Sequence, residues 1–304
     1  MNKSATLPPL FLSHGSPMIA LDPREAGAFM QRLGPAIVQQ HSRPRALLMA
    51  SAHTTSAVPT LLAAVRHGAV HDFGGFDRRL FQMRYDVPGA PALALQVQSL
   101  LLAAGIDARI SAAGGLDHGI WTPLRYLFPD ADVPVLPLAW PAHASPAELF
   151  AIGRALAPLA DEGVLLIGSG SITHNLQRVF AGGLQTPADA PATPESQAFR
   201  GWMADRIAAA DWPALFDYRR QAPHAVLMHP SDEHLLPLFI AAGASPCGQG
   251  GIRIHDSQTH GELGMDAYAF GAAAVANAAS SSAIQRALSA SGAKEASKPL
   301  RASV

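Results

Sequence analysis

The sequence predicts an α/β fold: a single domain with a largely parallel central sheet flanked by helices, and an active site at the carboxyl ends of the strands. Three observations lead to this prediction. The chain has 304 residues, 49% hydrophobic and 15% charged, enough to bury one large core. Short apolar runs bounded by turn residues alternate with stretches of helical periodicity, which is typical of a sheet covered on both faces. Histidines follow several of the apolar runs directly.

The short apolar runs are predicted to be buried strands, because their length suits strands and turn residues follow them. These predicted strands are 7–12, 45–50, 58–63, 133–138, 164–167 and 225–228. Longer stretches have Gly or Pro at their ends or apolar residues at helical spacing, and they are predicted to be helices. These predicted helices are 90–104, 146–160 and 195–210.

The domain boundary is predicted from a change in composition near the C-terminus. Residues 1–277 are predicted to form the catalytic domain. Residues 278–304 are rich in Ser, Ala and Lys and cannot bury much, so they are predicted to be a flexible tail. The proline-rich segment 182–194 is predicted to be a surface loop or a lid.

Charge and cysteine content exclude several classes of partner and site. Lys and Arg number 22 and Asp and Glu 23, a balance that favours neither nucleic acid nor an anionic membrane. A small molecule is the expected partner, and a homodimer is compatible with the composition. Cys247 is the one cysteine, which excludes an intrachain disulfide and a cysteine-based zinc site. With no signal peptide and no transmembrane run in evidence, a cytoplasmic location is predicted.

The histidines are placed where an α/β sheet binds its ligands. In open α/β sheets, ligands lie outside the carboxyl ends of the strands. Each histidine alone is more often a hydrogen-bonding loop residue, but together at equivalent strand ends they predict a shared metal site. Imidazole suits Fe(II), Zn(II) and copper, and the spacing does not choose among them. The histidines that come just after predicted strands are His14, His53, His174, His229 and His234.

The segment around His234 is predicted to open a helix that ends at Gly243. Ser231 is the expected N-cap, with Asp232 and Glu233 in the first turn, where the helix dipole favours acids. His234 would then face the strand ends from the first turn.

Two glycine-containing motifs carry further polar residues. HDFGGF joins His71 and Asp72 to a glycine turn, which fits an ordinary loop or a pair that orients a ligand. GGLDHG surrounds His118 with glycines, which allow the backbone to approach a ligand closely. The GSGS segment 168–171 lacks the spacing and the lysine of a phosphate-binding loop.

Six motifs in order resemble a known family: SHGSP, SAH, HDFGGF, DHG, THN and DEHLLPL, over roughly residues 7–275. They are similar to the class III extradiol ring-cleavage dioxygenases, in the DOPA 4,5-dioxygenase-like (LigB-type) subgroup. The resemblance implies an α/β fold that holds a metal at the strand ends.

The resemblance also implies roles for individual residues. The implied metal ligands are His14, His53, His174 and His234. His174 is implied either as a ligand or as the acid–base residue, so its role stays open. Glu233 is the alternative ligand to His234, because protocatechuate-type relatives use a glutamate as their third ligand.

The implied reaction inserts O2 beside the diol of a catechol, DOPA-like or another aromatic diol, and opens the ring to a semialdehyde. His174 and His118 are the implied catalytic residues, because histidine titrates near the working pH. His71, Asp72 and His118 are the implied substrate contacts. Fe(2+) is the metal implied for activity, with Zn(2+) as the other choice. Arg84, Arg125 and Arg178 are candidates for binding a charged substrate group.

Two other functions are compatible with the same histidines. A zinc-dependent hydrolase would use them to activate a bound water. The sequence lacks a HExxH helix and a GxSxG elbow, so it gives that alternative no specific support. A Memo-like binding protein, which resembles this family in fold, would use the pocket without catalysis.

Overall fold

A computed structural model describes residues 6–181 and 185–271 of the chain. The predicted tail, 278–304, and its boundary with the domain lie outside these residues. The strands are β1 (Leu10–Ser13), β2 (Ala46–Ser51), β3 (Thr55–Ser56), β4 (Thr60–Leu62), β5 (Arg66–His67), β6 (Val87–Pro88), β7 (Arg109–Ser111), β8 (Val135–Pro141), β9 (Val164–Gly170), β10 (Gly251–His255), β11 (Gln258–Thr259), β12 (Leu263–Gly264) and β13 (Ala267–Phe270).

The helices of the described residues range from one turn to five. They are α1 (Arg24–His41), α2 (Pro91–Ala103), α3 (His118–Leu127), α4 (Pro146–Leu156), α5 (Leu176–Val179), α6 (Pro194–Ala208), α7 (Trp212–Phe216), α8 (Tyr218–Gln221), α9 (Ala225–Met228) and α10 (Pro237–Gly243). Short 3₁₀ turns cover Pro17–Ala20, Leu80–Gln82, Ala157–Glu162 and Pro246–Gly248. Among these residues, no helix combines the length and the apolar character that crossing a membrane requires.

One mostly parallel sheet organises the fold, as predicted. Its strands follow the order β10-β13-β1-β9-β2-β8-β4-β7, and β3 pairs with β8. The central strands β1, β9, β2 and β8 run parallel to one another. Antiparallel pairs occur where β13 joins β1, where β10 joins β13 and where β4 joins β8. The parallel centre brings the carboxyl ends of β1, β2 and β9 to the same edge of the sheet.

Helices cover both faces of the sheet, so the central strands are buried throughout. Leu48 of β2 and Leu166 of β9 pack with α2, α4, α6 and α10 in one hydrophobic cluster. The next residue along each strand, Met49 and Ile167, packs with α1 and α3 in the other cluster. Alternate side chains of a strand point to opposite faces, which is why fully buried strands read as continuous apolar runs in the sequence.

The prediction of a strand at 225–228 is wrong, because this segment is the one-turn helix α9. The Met228 N–H donates to the His224 carbonyl and the His229 N–H to the Ala225 carbonyl, both helical hydrogen bonds. Ala225 and Met228 are buried, whereas Val226 between them is 60% exposed. A run of four apolar residues is too short for its periodicity to distinguish a strand from a helix.

The other predicted strands overlap β1, β2, β4, β8 and β9, and the predicted helices overlap α2, α4 and α6. The sequence did not lead us to predict α1, α3 or the antiparallel edge formed by β10 and β13. The helix after His234 begins later than predicted, at Pro237 rather than just after Ser231. Proline suits the first helical position because its missing N–H would have no partner there.

Candidate metal centre

The carboxyl ends of β1, β2 and β9 bring the first two histidines together. Ser13 at the end of β1 lies opposite Gly170 of β9, and Ser51 at the end of β2 lies opposite Ser169. The next residue after β1 is His14, whose N–H donates to the Gly170 carbonyl at 2.9 Å. His53 follows β2 by two residues. The parallel register therefore places both imidazoles over the end of β9.

His14 and His53 point their Nε2 atoms at each other across 3.1 Å. His14 is almost fully buried, and the His53 side chain is 24% exposed. Imidazole nitrogens bind a metal at about 2.0–2.1 Å, so two ligands of one ion are separated by about 3 Å. The spacing of the two Nε2 atoms therefore fits a shared ion.

Ser169 decides which nitrogen of His14 is free to act as a ligand. The Ser169 hydroxyl donates its proton to the Gly119 carbonyl, and the same oxygen lies 3.0 Å from Nδ1 of His14. A hydroxyl has one proton to donate, so its oxygen must accept here, and Nδ1 of His14 carries the hydrogen. Nε2 of neutral His14 is left with its lone pair, as required of a metal ligand.

A turn, not a strand, delivers His234, which corrects the expectation that it follows the end of a strand. The His234 carbonyl accepts from the Ser171 N–H at 2.8 Å. A Cβ built at Gly170 would lie 1.9 Å from the same carbonyl oxygen. The turn before α10 can therefore rest directly on the end of β9 only because residue 170 has no side chain.

Glu233 holds His234 from its outer side. The Glu233 carboxylate lies 3.0 Å from Nδ1 of His234, so Nδ1 donates and Nε2 is left as the free nitrogen. The His234 side chain is 7% exposed and that of Glu233 is 37% exposed. The ring centroid of His234 lies 5.4 Å from that of His14 and 4.9 Å from that of His53. The imidazole faces the other histidines, and the carboxylate supports it from behind.

Three groups of side chains among the described residues have ligand atoms within 4.8 Å of one another and could hold a metal ion. One group combines His14, His53 and His234, and it contains no carboxylate. The other two groups share a histidine with it. They are His53 with Asp72 and His118, and His174 with Glu233 and His234.

His174 lies flat against His234. The two ring centroids are 3.4 Å apart and the ring planes differ by 9°. Lone pairs of imidazole nitrogens lie in the plane of the ring. A metal ion in the plane of the His234 ring would therefore lie well out of the plane of the His174 ring. The lone pairs of two stacked rings cannot both point at one ion.

Asp72 organises the histidine at the start of α3. One Asp72 oxygen accepts from the His118 N–H at 2.9 Å, and the other lies 3.0 Å from Nδ1 of His118. The second oxygen is also 3.9 Å from Nδ1 of His53. The rings of His53 and His118 have centroids 4.1 Å apart. Asp72 is thus a partner of histidines, and Nε2 of neutral His118 remains an acceptor.

Asp117 does not hydrogen-bond with its neighbour His118. Its buried carboxylate accepts from the Ser51 hydroxyl at 2.7 Å and from the Thr54 hydroxyl. These hydroxyls flank His53, so Asp117 ties the end of β2 to the start of α3. Burial raises the pKa of Asp117, and the hydrogen bonds from Thr54 and Ser51 oppose that rise.

His71 lies in an aromatic cluster beside the centre. Its Nε2 donates to the Met83 carbonyl at 3.2 Å, and its ring contacts Phe73, Phe81 and Trp121 at centroid distances of 5.8 to 6.0 Å. Phe73 in turn contacts His118 at 5.7 Å. His71 belongs to none of the three potential metal groups of the described residues.

Burial keeps the central imidazoles neutral. It lowers the pKa of His14 well below 6.5, that of His53 to about 3 and that of His174 to about 2, with neighbouring histidines lowering each further. The hydrogen bond from His234 lowers the pKa of Glu233 to about 2. At neutral pH His14, His53 and His174 therefore offer uncharged nitrogens next to an ionised carboxylate, a combination that suits a divalent cation.

Burial opposes ionisation of the Asp72 carboxyl, but the hydrogen bonds from His118 favour the ionised form and have the larger combined effect. The net effect is a lowered pKa for the Asp72 carboxyl. A second ionised carboxylate therefore lies beside the histidines at neutral pH.

The arginines considered for a charged substrate group have partners elsewhere. Arg84 pairs with Asp86 at 2.9 Å, and Arg125 donates to the Arg84 carbonyl at 3.1 Å. Arg178 pairs with the buried Glu262 at 2.7 Å. None of these contacts places a guanidinium at the histidine centre.

Two cavities are lined by residues that neighbour the histidines of the centre in the sequence. One, of about 560 Å³, is lined by Glu233, Trp140 and His143 among other residues. The other, of about 670 Å³, is lined by Gly15 and Met265, next to His14, and by the segment 188–191. Both volumes are in the range of sites for small organic molecules.

Sequence reasoning missed Ser169 and Gly170. The segment that contains them was considered only as a phosphate loop. Its position directly after a buried strand was the available signal, because a small polar residue there faces the same edge as the histidines. Which histidine it contacts depends on the strand order, which the pattern of apolar residues does not give.

Comparison with known families gives a match over most of the chain. Residues 8–271 match the family described as the catalytic LigB subunit of aromatic ring-opening dioxygenase. The matched range includes every histidine of the centre.

Individual relatives agree with the family match. The chain is similar to a 4,5-DOPA dioxygenase extradiol of Beta vulgaris, with 36% identity over 262 residues that cover 86% of this chain and 95% of the relative. It is also similar to a 4,5-DOPA dioxygenase extradiol of Escherichia coli (strain K12), with 34% identity over 245 residues that cover 79% and 86% of the two chains. A crystal structure of an uncharacterized protein from Escherichia coli K12 superposes with a TM-score of 0.68 at 28% identity, covering 87% of this chain and 100% of that one.

Proposed function

Since the chain belongs to the family of LigB catalytic subunits of aromatic ring-opening dioxygenases, we propose that it cleaves a catechol beside its diol with O2. The product is a ring-opened semialdehyde. The substrate is an aromatic diol, and the names of the Beta vulgaris and Escherichia coli relatives make DOPA the first compound to test. The location in the cytoplasm stays a prediction, and a homodimer stays compatible with the sequence.

The observation that carries the proposal is the convergence of His14, His53 and His234. Their ligand atoms lie within 4.8 Å of one another, and Ser169 and Glu233 hold the outer nitrogens of His14 and His234. We assign these three histidines as the metal ligands and Glu233 as a support for His234. The donor set fits a divalent transition metal, and Fe(2+) is the proposed ion. When bound, Fe(2+) supplies the redox chemistry between catechol and O2 that Zn(2+) does not have.

His174 is assigned to proton transfer and not to the metal. Its ring is stacked on His234, so its lone pair does not converge with that of His234. Burial lowers the pKa of His174, so the ring is neutral at pH 7 with a lone pair open to a catechol proton, and the imidazolium formed by that transfer returns the proton readily. The nitrogens of this ring make no hydrogen bond within the described residues, which leaves them available to substrate.

His118 assists from the other side of the centre. Asp72 accepts from Nδ1 of His118, so Nε2 can take a proton from a catechol hydroxyl. The imidazolium that results is stabilised by the Asp72 carboxylate at 3.0 Å. In this arrangement Asp72 serves His118 and does not bind substrate itself. His71, held by Met83 within the aromatic cluster, is proposed to shape the wall near His118.

The first experiment measures oxygen uptake and the absorbance of a yellow semialdehyde with a panel of catechols, after loading the protein with Fe(2+) without oxygen. We expect turnover by wild type and none by the His14→Ala/His53→Ala double variant, which should also lose its metal. His224→Asn is the matched control, since His224 is exposed and Asn tolerates its left-handed backbone (φ 58°). No uptake with any catechol, despite stoichiometric metal, would refute the proposal in favour of a zinc hydrolase or a binding protein.

His174→Ala separates acid–base chemistry from metal binding. We expect kcat to fall by about 10²–10⁴-fold, while metal content and the affinity for a substrate analogue stay near wild type. Loss of the metal in this variant would instead assign His174 as a ligand.

A further inference from the structure

The ring of His174 is held in place differently from three other rings of the centre. His14, His118 and His234 each have a side-chain partner on Nδ1. Within the described residues no hydrogen bond reaches the ring of His174. Its position therefore depends on the stack against His234 and on how firmly its backbone is held.

Three hydrogen bonds hold that backbone against the end of α9. The His174 N–H donates to the Met228 carbonyl at 2.9 Å. The Asn175 side-chain amide donates to the Leu227 carbonyl at 2.6 Å. Nε2 of His229 donates to the Ile172 carbonyl at 2.8 Å. We call these three contacts the 174 clamp.

His229 is the buried member of the clamp. It is fully buried, and its ring lies 5.6 Å from that of Phe199. A carbonyl only accepts, so Nε2 of His229 carries the hydrogen, and Nδ1 has no hydrogen-bond partner in the part of the chain that the structure describes. A buried polar atom without a partner is costly and would be absent from a purely apolar side chain. The Nε2–H group that donates to the Ile172 carbonyl is therefore the feature that distinguishes His229 from an apolar side chain at this position.

We propose that His229 is a positioning residue that holds His174 in its stacked orientation, an inference that rests on the proposed role of His174 in proton transfer. His229 fixes the chain two residues before His174, and Met228 and Leu227 fix it at residues 174 and 175. With the donor at residue 229 removed, the Ile172 carbonyl loses this partner. The Ile172 N–H still donates to Ser13 and the Thr173 hydroxyl to the Glu262 carbonyl, but neither bond holds residue 172 against the segment after α9. The His174 ring can then leave the face of His234.

The test compares variants that keep or remove the donor. His229→Phe retains a ring of similar size but cannot donate to Ile172. His229→Gln retains an N–H at a similar distance from the backbone. Asn175→Ala loosens the same clamp from its other side, and it tests the proposal even if His229→Phe folds poorly. His67→Phe is the matched control, because His67 is buried and accepts a hydrogen bond from Gly115 outside the three metal groups.

In kinetics on metal-loaded protein, we expect His229→Phe and Asn175→Ala to lower kcat by about 100-fold with KM and metal content unchanged, since a displaced catalytic group costs rate more than binding. His229→Gln should recover kcat to within a few-fold of wild type, and His67→Phe should keep it. Equal kcat in His229→Phe and wild type would overturn the proposal, as would a loss that His229→Gln does not repair. If the wild-type protein shows no turnover, the proposed function is refuted. The positioning of His174 is then tested by a measurement that does not depend on turnover.

That measurement does not need turnover. Diethyl pyrocarbonate modifies accessible imidazoles, and mass spectrometry of the peptide that contains His174 gives its rate of modification. We expect faster modification of His174 in His229→Phe than in wild type, His229→Gln or His67→Phe. The same rate in all four proteins would show that His229 does not hold the His174 ring.

Discussion

At His14 the ligand atom is selected by a serine on the neighbouring strand β9, 155 residues later in the sequence. The Ser169 hydroxyl donates its only proton to the Gly119 carbonyl. Nδ1 of His14 must therefore be the donor to Ser169, and Nε2 must face the centre. Glu233 does the same for His234, and Asp72 for His118. Partners on the outer nitrogen typically strengthen metal binding by about 10–100-fold, since they fix the tautomer and the ring orientation.

Ser169→Ala should therefore weaken the metal site without removing a ligand. We expect the affinity for the metal to fall by about 10–100-fold, measured by competition with a chelator. Ser171→Ala is the control, because Ser171 is also buried but its hydroxyl donates to the Thr173 carbonyl at 2.8 Å and not to a histidine. Equal affinity in the Ser169 variant and wild type would mean that the tautomer of His14 is set in another way.

Glu233→Gln tests whether residue 233 or residue 234 is the ligand. The amide oxygen of glutamine can still accept from Nδ1 of His234, so we expect a loss in metal affinity of about 10-fold. His234→Ala, which removes the imidazole, should abolish stoichiometric binding. If both variants lose the metal to the same degree, Glu233 is itself a ligand.

At the scale of elements, the site depends on how closely the turn before α10 approaches β9. Gly170 lets the His234 carbonyl lie where a Cβ would otherwise be, and Gly168 does the same for the Pro237 carbonyl. The helix that follows packs on β9 and α4 with every residue from Pro237 to Gly243 buried. A rigid apolar helix thus fixes the turn that carries a metal ligand.

Gly170→Ala should disrupt this contact. Because the new methyl group would meet backbone, the turn must shift, and we expect a loss of stability of about 1–3 kcal/mol together with weaker metal binding. Gly201→Ala is the control, since Gly201 lies inside α6 with open space around it, and we expect a gain of about 0.5–1 kcal/mol there. Thermal unfolding and metal titration of both variants measure these effects. A Gly170 variant as stable and as metal-competent as wild type would contradict the account of the turn.

The positions of His14 and His53 could be predicted because each follows a long buried run, and such runs are visible in sequence. The turn that positions His234 could not be predicted, because the sequence of Ala225–Met228 is equally compatible with a strand and with a one-turn helix. Tertiary contacts decided between them: Ala225 and Met228 are buried, and the segment pairs with no strand within residues 6–181 and 185–271. The choice between Glu233 and His234 needed the same information, since adjacent residues in a turn face different ways.

For the whole molecule, the alternation of apolar runs and helical periods was sufficient for the fold class. The same pattern did not predict the sheet edge formed by β13 and β10. β13 has only four residues, and β10 has only one buried residue, so neither forms a long apolar run in the sequence. The family match over residues 8–271 includes this edge. The order and spacing of the histidine motifs predicted the function more specifically than the fold class did. This is expected when the chemistry depends on a few side chains.

Stability as a function of pH should report the neutral buried histidines. Burial lowers the pKa of His229 to about 4 in the folded chain, against about 6.5 unfolded. The unfolded chain binds the extra proton between these values, so this stability is present above pH 6.5 and is lost as pH falls toward 4. The contribution of His229 should fall by about 2 kcal/mol between pH 7 and pH 5.

His229→Gln keeps the donor and removes the titration, so its free energy of unfolding should depend less on pH by that amount. Chemical denaturation of both metal-free proteins at the two pH values measures the difference. Parallel pH profiles for wild type and His229→Gln would show that His229 does not titrate with folding.

Labelling with ¹⁸O2 tests whether this chain is a ring-cleaving dioxygenase. Fe(2+)-loaded protein would turn over a catechol under ¹⁸O2, with the aldehyde reduced at once to prevent exchange with water, and the product would be weighed by mass spectrometry. We predict that both oxygen atoms of one O2 molecule enter the ring-opened product, and that His174→Ala forms almost none. A product that carries no ¹⁸O, or a quinone in place of an opened ring, would contradict the assignment.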